Sequence, residues 1–289
     1  MNSFRLTVLI LLLSTTNSVF SQQNLNSQFT VVVDAGHGGK DPGNTGNGYL
    51  EKKIALSIAL KLGKKLEENS VKVVYTRKSD VFVNLFERAN IANRSNAQLF
   101  ISIHCDSHTS QAYGAGTFVL GLHANQRNFE VAKKENSVIF FEEDYINKYE
   151  GFDPNNPESV IGLTLMQEEY LDQSIVAASY IQNSFVNRLK RRNRTVKQAG
   201  FIVLKYTYMP SVLVETGFLT NNSEGAYLNS VRGQNEMADA IASAVIDYKN
   251  DFFQNLSTTN LTNDLNQSGT SYRIQIAAST NLLELKPYN

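Results

Sequence analysis

Two histidines and two glutamates in this chain stand where a sheet would collect them. His37 follows Val31-Val-Val-Asp-Ala-Gly36, His104 closes Leu99-Phe-Ile-Ser-Ile103, and Glu215 closes Val212-Leu-Val214. Each run is apolar and rich in β-branched residues, so each reads as a buried strand ending near a residue able to do chemistry. Glu51 arrives differently. A loop with five glycines between Gly38 and Gly48 precedes it, and Leu50, Ile54, Ile58, Leu62 and Leu66 then recur every four residues as one helical face. In an open α/β sheet, sites lie outside the carboxyl ends of the strands. A lone histidine there is ordinarily a hydrogen-bonded structural residue. Two histidines and one glutamate brought together make a three-ligand catalytic zinc set with a position left for water, and a further carboxylate is what such chemistry needs as general base.

The positioning elements follow the chain. After the Glu51 helix, Val71–Tyr75 reads as a second strand ending in Thr76-Arg77, and Val83–Asn93 as a helix with Leu85, Ala89 and Ala92 inward. Leu99–His104 and Gly116–Leu120 are the next strands. Ser174–Arg192 is an amphipathic helix, Phe201–Leu204 and Ser211–Glu215 complete the strands, and Gln234–Tyr248 is a closing helix. The expected fold is α/β, a single twisted, mostly parallel sheet of about six strands flanked by helices. Cys105 falls on the face opposite His104 and reads as core packing. His108 and His123 read as loop residues. Arg188, Lys190, Arg191, Arg192 and Arg194 read as cations favoured by the dipole at a helix C-terminus.

VVVDAGHGGKDPG, the Glu51 helix, TRKSD, SIHCDSH and MPSVLVETGFLTN, in that order, resemble the zinc-dependent N-acetylmuramoyl-L-alanine amidases of the amidase_3 family. The resemblance implies zinc held by His37, Glu51 and His104, and Glu215 as the general base. It also implies cleavage of the amide joining N-acetylmuramic acid to L-alanine in peptidoglycan, for wall remodelling and daughter-cell separation. Composition and spacing alone imply only a zinc-dependent hydrolase of an exported substrate. Thr76-Arg77, Asp80 and Arg88 match the family pattern and read as a charged loop and helix tied by ion pairs. Asp106 stands where the family usually has asparagine, a change near the ligands that bears on hydrogen bonding around the site. Thr195 stands where the family often has glycine.

The 289 residues carry 27 basic and 27 acidic side chains. That balance points away from nucleic acid. Met1–Ser21, with Arg5 ahead of the apolar run Leu6–Leu13, reads as a secretory signal cleaved before Gln22, which implies an exported, periplasmic or envelope protein with no anchor after cleavage. The single cysteine permits no intrachain disulfide. The catalytic domain is expected over residues 29–250. The Asn/Thr/Ser-rich stretch 253–271 reads as a flexible linker. Residues 272–289 begin with an alternating strand similar to the first strand of a SPOR domain, a glycan-binding module, but are too few for its core, so they read as a truncated or a vestigial one.

Residues 122–173 interrupt the alternation of strands and helices. They read as an inserted segment with helical pieces around Phe129–Asn147 and Pro157–Leu171, of the kind that serves as a lid. Two acidic groups in it, Glu142, Glu143 and Asp144, then Glu168 and Glu169, either solvate the outer faces of two surface helices or, as the resemblance implies for a helical segment inserted at this point, occupy the open zinc position until an activator protein displaces them. Two other readings stay open from sequence. One is a zinc peptidase acting within the stem peptide; the other is a wall-binding protein that has lost catalysis, against which the presence of both Glu51 and Glu215 counts.

Overall fold

The computed structural model describes residues 28–122, 125–160 and 168–265. The signal segment, His123 and residues 272–289 lie outside the described residues. In chain order the elements are β1 (Thr30–Ala35), the two-residue strands β2 (Thr45–Gly46) and β3 (Tyr49–Leu50), α1 (Glu51–Glu68), β4 (Lys72–Tyr75), α2 (Leu85–Arg94), β5 (Leu99–Asp106) and β6 (Ala115–Leu120). The inserted segment contributes α3 (Gln126–Asn136), a 3-10 turn over Ser137–Phe141, α4 (Tyr145–Lys148) and a second 3-10 turn over Pro157–Val160. Then come α5 (Glu168–Asn187), β7 (Asn193–Ala199), α6 (Ile202–Lys205), β8 (Ser211–Phe218), α7 (Asn222–Asn229) and α8 (Val231–Leu265).

Six strands form one sheet in the order β4-β1-β5-β8-β6-β7. All neighbours run parallel except β6 and β8. The central strands β1, β5 and β8 are buried on both faces, which is why they read as unbroken apolar runs rather than alternating ones. Ile54, Ile58, Leu62 and Leu66 of α1 are fully buried, and each such side chain contributes on the order of 1.5–3 kcal/mol. The fold class is as expected.

Three expected elements differ. Phe201–Leu204 is not a strand: its apolar run begins a helical turn, α6, which Asn136 of the insertion caps by accepting from Ile202 N at 2.9 Å. A short apolar run cannot by itself separate strand from helix. The strand in that region is β7, Asn-Arg-Thr-Val-Lys-Gln-Ala, polar because it lies at the sheet edge. Thr195 within it takes the left-handed φ of 65° that a glycine would adopt freely. The basic run also lies elsewhere than expected: α5 ends at Asn187, so Arg191, Arg192 and Arg194 lead into β7 instead of capping a helix. Lastly, α8 continues through most of the expected linker to Leu265, with no glycine or proline between residues 253 and 265.

Compact packing divides the chain into residues 1–249 and residues 250–289. No helix among the described residues is long and apolar enough to cross a membrane.

Candidate metal centre

His37, Glu51, His104 and Glu135 each offer one donor atom, and these atoms lie within 4.8 Å of one another. Three of the four are the residues expected from sequence. Glu135 is the addition, and it comes from α3 of the insertion.

Each side chain is held from behind. His37 sits just past β1 with a left-handed φ of 59°, and its Nδ1 lies 2.7 Å from Asp41 Oδ2. A proton on Nδ1, donated to Asp41, leaves Nε2 facing the site, the arrangement that fixes a ligating imidazole. His104 Nε2 lies 3.1 Å from Ser102 Oγ, and that hydroxyl donates to Asp34 Oδ2 at 2.5 Å. His104 Nδ1 therefore faces inward. Gly36 is required beside it, because a Cβ there would stand 2.5 Å from the His104 ring. Gly43, with φ 67°, serves His37 and Glu51 in the same way. Glu51 heads α1 with no exposed surface; its Oε1 accepts from Cys105 N and its Oε2 from Asn44 N, both at 2.7 Å. Cys105 is buried packing, as expected.

Beneath the loop lies a buried ion pair. Arg88 Nη1 donates to Asp34 Oδ1 at 2.6 Å, and Thr76 donates to the same oxygen. Arg88 also holds the carbonyls of Ala35 and His37, while Arg77 holds those of Ala35 and Gly36. The expected charged loop and helix are thus a brace for the histidine loop. Asp80 accepts from Gly39 N and pairs with Lys52 at 2.8 Å, fixing the far side of the same loop. Burial pushes the Asp34 carboxyl up, but Arg88 and the hydroxyl donors outweigh it and hold Asp34 below the usual carboxylate range.

The cluster is electrostatically crowded. His37 Nε2 stands 3.2 Å from Glu51 Oε2 and 3.0 Å from Glu135 Oε2; His104 Nδ1 stands 3.1 Å from Glu51 Oε1 and 3.0 Å from the same Glu135 oxygen. Burial alone would raise Glu51 and Glu135, yet the imidazoles pull both carboxyls down. His37 Nε2 and Glu135 Oε2 are buried without a hydrogen-bond partner. Buried polar atoms are rarely left so. Orphaned donor atoms of nitrogen and oxygen type, converging within coordination range and oriented by outer partners, fit a divalent zinc ion.

Glu215 lies directly beside His104 in the β5–β8 register and does not join the cluster. It is 3 % exposed, and neither carboxylate oxygen has a partner. Burial, then the neighbouring Asp106, Glu135 and Glu51, push its carboxyl well above the usual range. Asp106 pairs with Arg127 of α3 at 2.8 Å, so the departure from asparagine gives the insertion an anchor on β5.

The acids nominated in the insertion stand elsewhere. Glu142 accepts from Tyr149 Oη at 2.7 Å and pairs with Lys148; Glu143, Asp144 and Glu169 are exposed; Glu168's side chain lies outside the described residues. Glu135 was missed because a lone acid between Lys134 and Asn136 forms no cluster. The available signal was periodicity: Asn128, Phe129, Val131, Ala132, Glu135 and Asn136 share the buried face of α3. An acid on the inward face of an amphipathic helix needs a partner.

Imidazoles and carboxylates thus converge at the carboxyl ends of a mostly parallel sheet as a donor set that could hold a metal ion. The family model described as N-acetylmuramoyl-L-alanine amidase (Amidase_3) matches residues 31–247, and the chain belongs to that family. It is 34% identical over 227 residues to the N-acetylmuramoyl-L-alanine amidase AmiA of Salmonella typhimurium, covering 77% of this chain and 76% of the relative. It is 35% identical over 219 residues to the uncharacterised protein YqiI of Bacillus subtilis, covering 76% and 84%. Among solved structures it is similar to the amidase AmiC2 of Nostoc punctiforme, with TM-score 0.58 and 30% identity over 77% of this chain and 97% of that one.

Proposed function

We propose that this chain is an exported zinc-dependent N-acetylmuramoyl-L-alanine amidase, in which His37, Glu51 and His104 hold the metal and Glu135 closes the remaining position. The observation that carries the reading is the convergence of those four donors, with Glu215 beside His104. A zinc ion bound there supplies Lewis-acid polarisation of the scissile carbonyl and makes water acidic enough to attack near neutral pH. Glu215 takes the proton from the attacking water and returns it to the leaving amine. Asp41 and Ser102 keep the two imidazoles facing the site, and the Asp34–Arg88 brace keeps the His37 loop from collapsing into it.

Glu135 belongs to the same reading. While it stands at the metal position no substrate carbonyl can enter, so the arrangement seen is a resting one. An activator works by binding the displaced insertion better than the seated one. Catalytic loss with retained wall binding is disfavoured by Glu215: a buried carboxylate with both oxygens unsatisfied costs stability, and a binding module gains nothing from it.

Digestion of purified peptidoglycan by the zinc-loaded mature chain, with and without a chelator, tests the proposal. Release of intact stem peptides beginning with L-alanine, abolished by chelation and restored by zinc, is the expected result. Cuts confined to the stem peptide would assign the site to a peptidase instead.

A further inference from the structure

Basic residues just before and along β7 converge on a cleft that opens toward Glu215. At its mouth, Arg192 lies over the Tyr113 ring at 5.0 Å; deeper, Arg194 lies over Phe218 at 4.9 Å, and Lys197 over Phe118 at 4.7 Å. The outer part, between Tyr113, Arg192 and Phe218, encloses ≈ 530 Å³. A smaller chamber of ≈ 50 Å³ continues inward past Arg194 and Lys197 to Glu215. Gly116 pairs with Glu215 across the β6–β8 register, and a Cβ on it would stand 3.1 Å from Lys197 Nζ. The missing side chain is what lets the ammonium reach that depth.

Arg192, Arg194 and Lys197 pair with no carboxylate among the described residues, whereas Arg191 is tied to Glu224 and Arg127 to Asp106. Aromatic faces orient the three cations without neutralising them. Burial brings Lys197 down to about 8, with Arg194 and Arg127 adding to it and the carboxyls of Asp106 and Glu215 opposing it.

We propose that Arg192, Arg194 and Lys197 form a subsite for the carboxylates of the peptide that departs when the amide is cut. The inference rests on the amide-hydrolase reading above, because direction comes from Glu215. The group that protonates the leaving amine must face the peptide side of the scissile bond, and the cationic cleft lies beyond Glu215. The three cations stand on β7 and the loop before it, while α3 contributes Arg127, Asn128 and Val131 to the inner wall, so displacement of α3 widens the cleft and leaves the cations in place. Carboxylates of an acidic stem peptide are its occupant; a phosphate-bearing wall polymer would share the charge but would not need to lie in line with the scissile amide.

The test uses the full chain carrying Glu135→Ala, loaded with zinc, and a disaccharide–tripeptide fragment of peptidoglycan in its free-acid form and with its carboxyls amidated. The free acid is expected to be preferred by about tenfold in kcat/KM, through KM, and Arg194→Gln or Lys197→Gln each to remove most of that preference. Equal cleavage of both forms, or substitutions that slow both forms alike, would overturn the subsite. Binding of the released free-acid peptide gives a readout independent of turnover. If neither fragment is cut but the free peptide binds about tenfold more weakly to Arg194→Gln, the subsite stands and the amidase reading falls. If a poly(glycerol phosphate) competes and the free peptide does not bind, the cleft serves another polymer and the proposal fails. Should Arg194→Gln not fold, Lys197→Gln carries the same comparisons.

Discussion

Glu135 Oε2 stands 3.0 Å from both His37 Nε2 and His104 Nδ1, so one oxygen from the insertion faces both imidazoles of the metal cluster. Glu135→Ala is therefore expected to raise basal wall hydrolysis. A resting state that leaves about 1–10% of molecules open corresponds to a gain of about ten- to hundredfold. Dye release from labelled peptidoglycan checks it, and a folded, zinc-bound variant with no gain would show that Glu135 does not block the site.

His37→Ala and His104→Ala should lose zinc and activity together, as read by metal analysis after gel filtration. Glu215→Gln should keep zinc and, in the Glu135→Ala background, lose about 10²–10⁴ of turnover as expected for a general base. Release of metal by Glu215→Gln would mean that Glu215 is a ligand instead.

Asp34→Asn leaves the buried Arg88 guanidinium without its counter-charge, and a loss of about 3–5 kcal/mol follows for a broken buried pair. The sign with pH is fixed by the direction of the shift. Asp34 is held below its unfolded value, so its contribution is fully present above about pH 4 and is lost as pH falls through the folded value. Urea denaturation at pH 7 and pH 3 should show the difference between wild type and Asp34→Asn shrinking at the lower pH.

Lys197 supplies a second pH signature, read in substrate binding. Its folded value of about 8 lies below that of an ordinary lysine, with burial the main cause. The charged groups acting on it are Asp106 of β5, Glu215 of β8, Arg194 of β7 and Arg127 of α3. As pH rises from 7 to 9 the ammonium is lost, so KM for an anionic substrate should rise while Lys197→Gln shows a flat profile. The linked effect on stability runs upward over the same range, because the unfolded chain then binds the extra proton.

Much of this was legible in the sequence because strand ends and helix starts obey simple periodicities. His37, Glu51 and His104 were found as residues that punctuate apolar runs. Glu135 is not legible in that way, since it is one acid on a buried helical stripe and belongs to no acidic cluster. Arg192 and Arg194 read as helix-capping cations because Ser174–Arg192 shows no residue that must end the helix at Asn187. The strand Asn193–Ala199 was invisible for a related reason: an edge strand carries little apolar alternation, and its neighbour Phe201–Leu204 borrowed the strand-like look.

Arg127 and Glu135 sit on one helix eight residues apart, about 12 Å along its axis, and each is fastened to the catalytic core. Asn128 and Asn136 add fastenings to the backbone at Gln198 and Gly200. A helix pinned at both ends does not peel away turn by turn, since any half-lifted posture strands the buried amide of Asn128 or Asn136 without its partner. Dormancy is then close to binary. On the proposed reading, individual molecules are either silent or fully awake, and the leak rate of a population reports how often whole helices let go rather than how loosely each one is held.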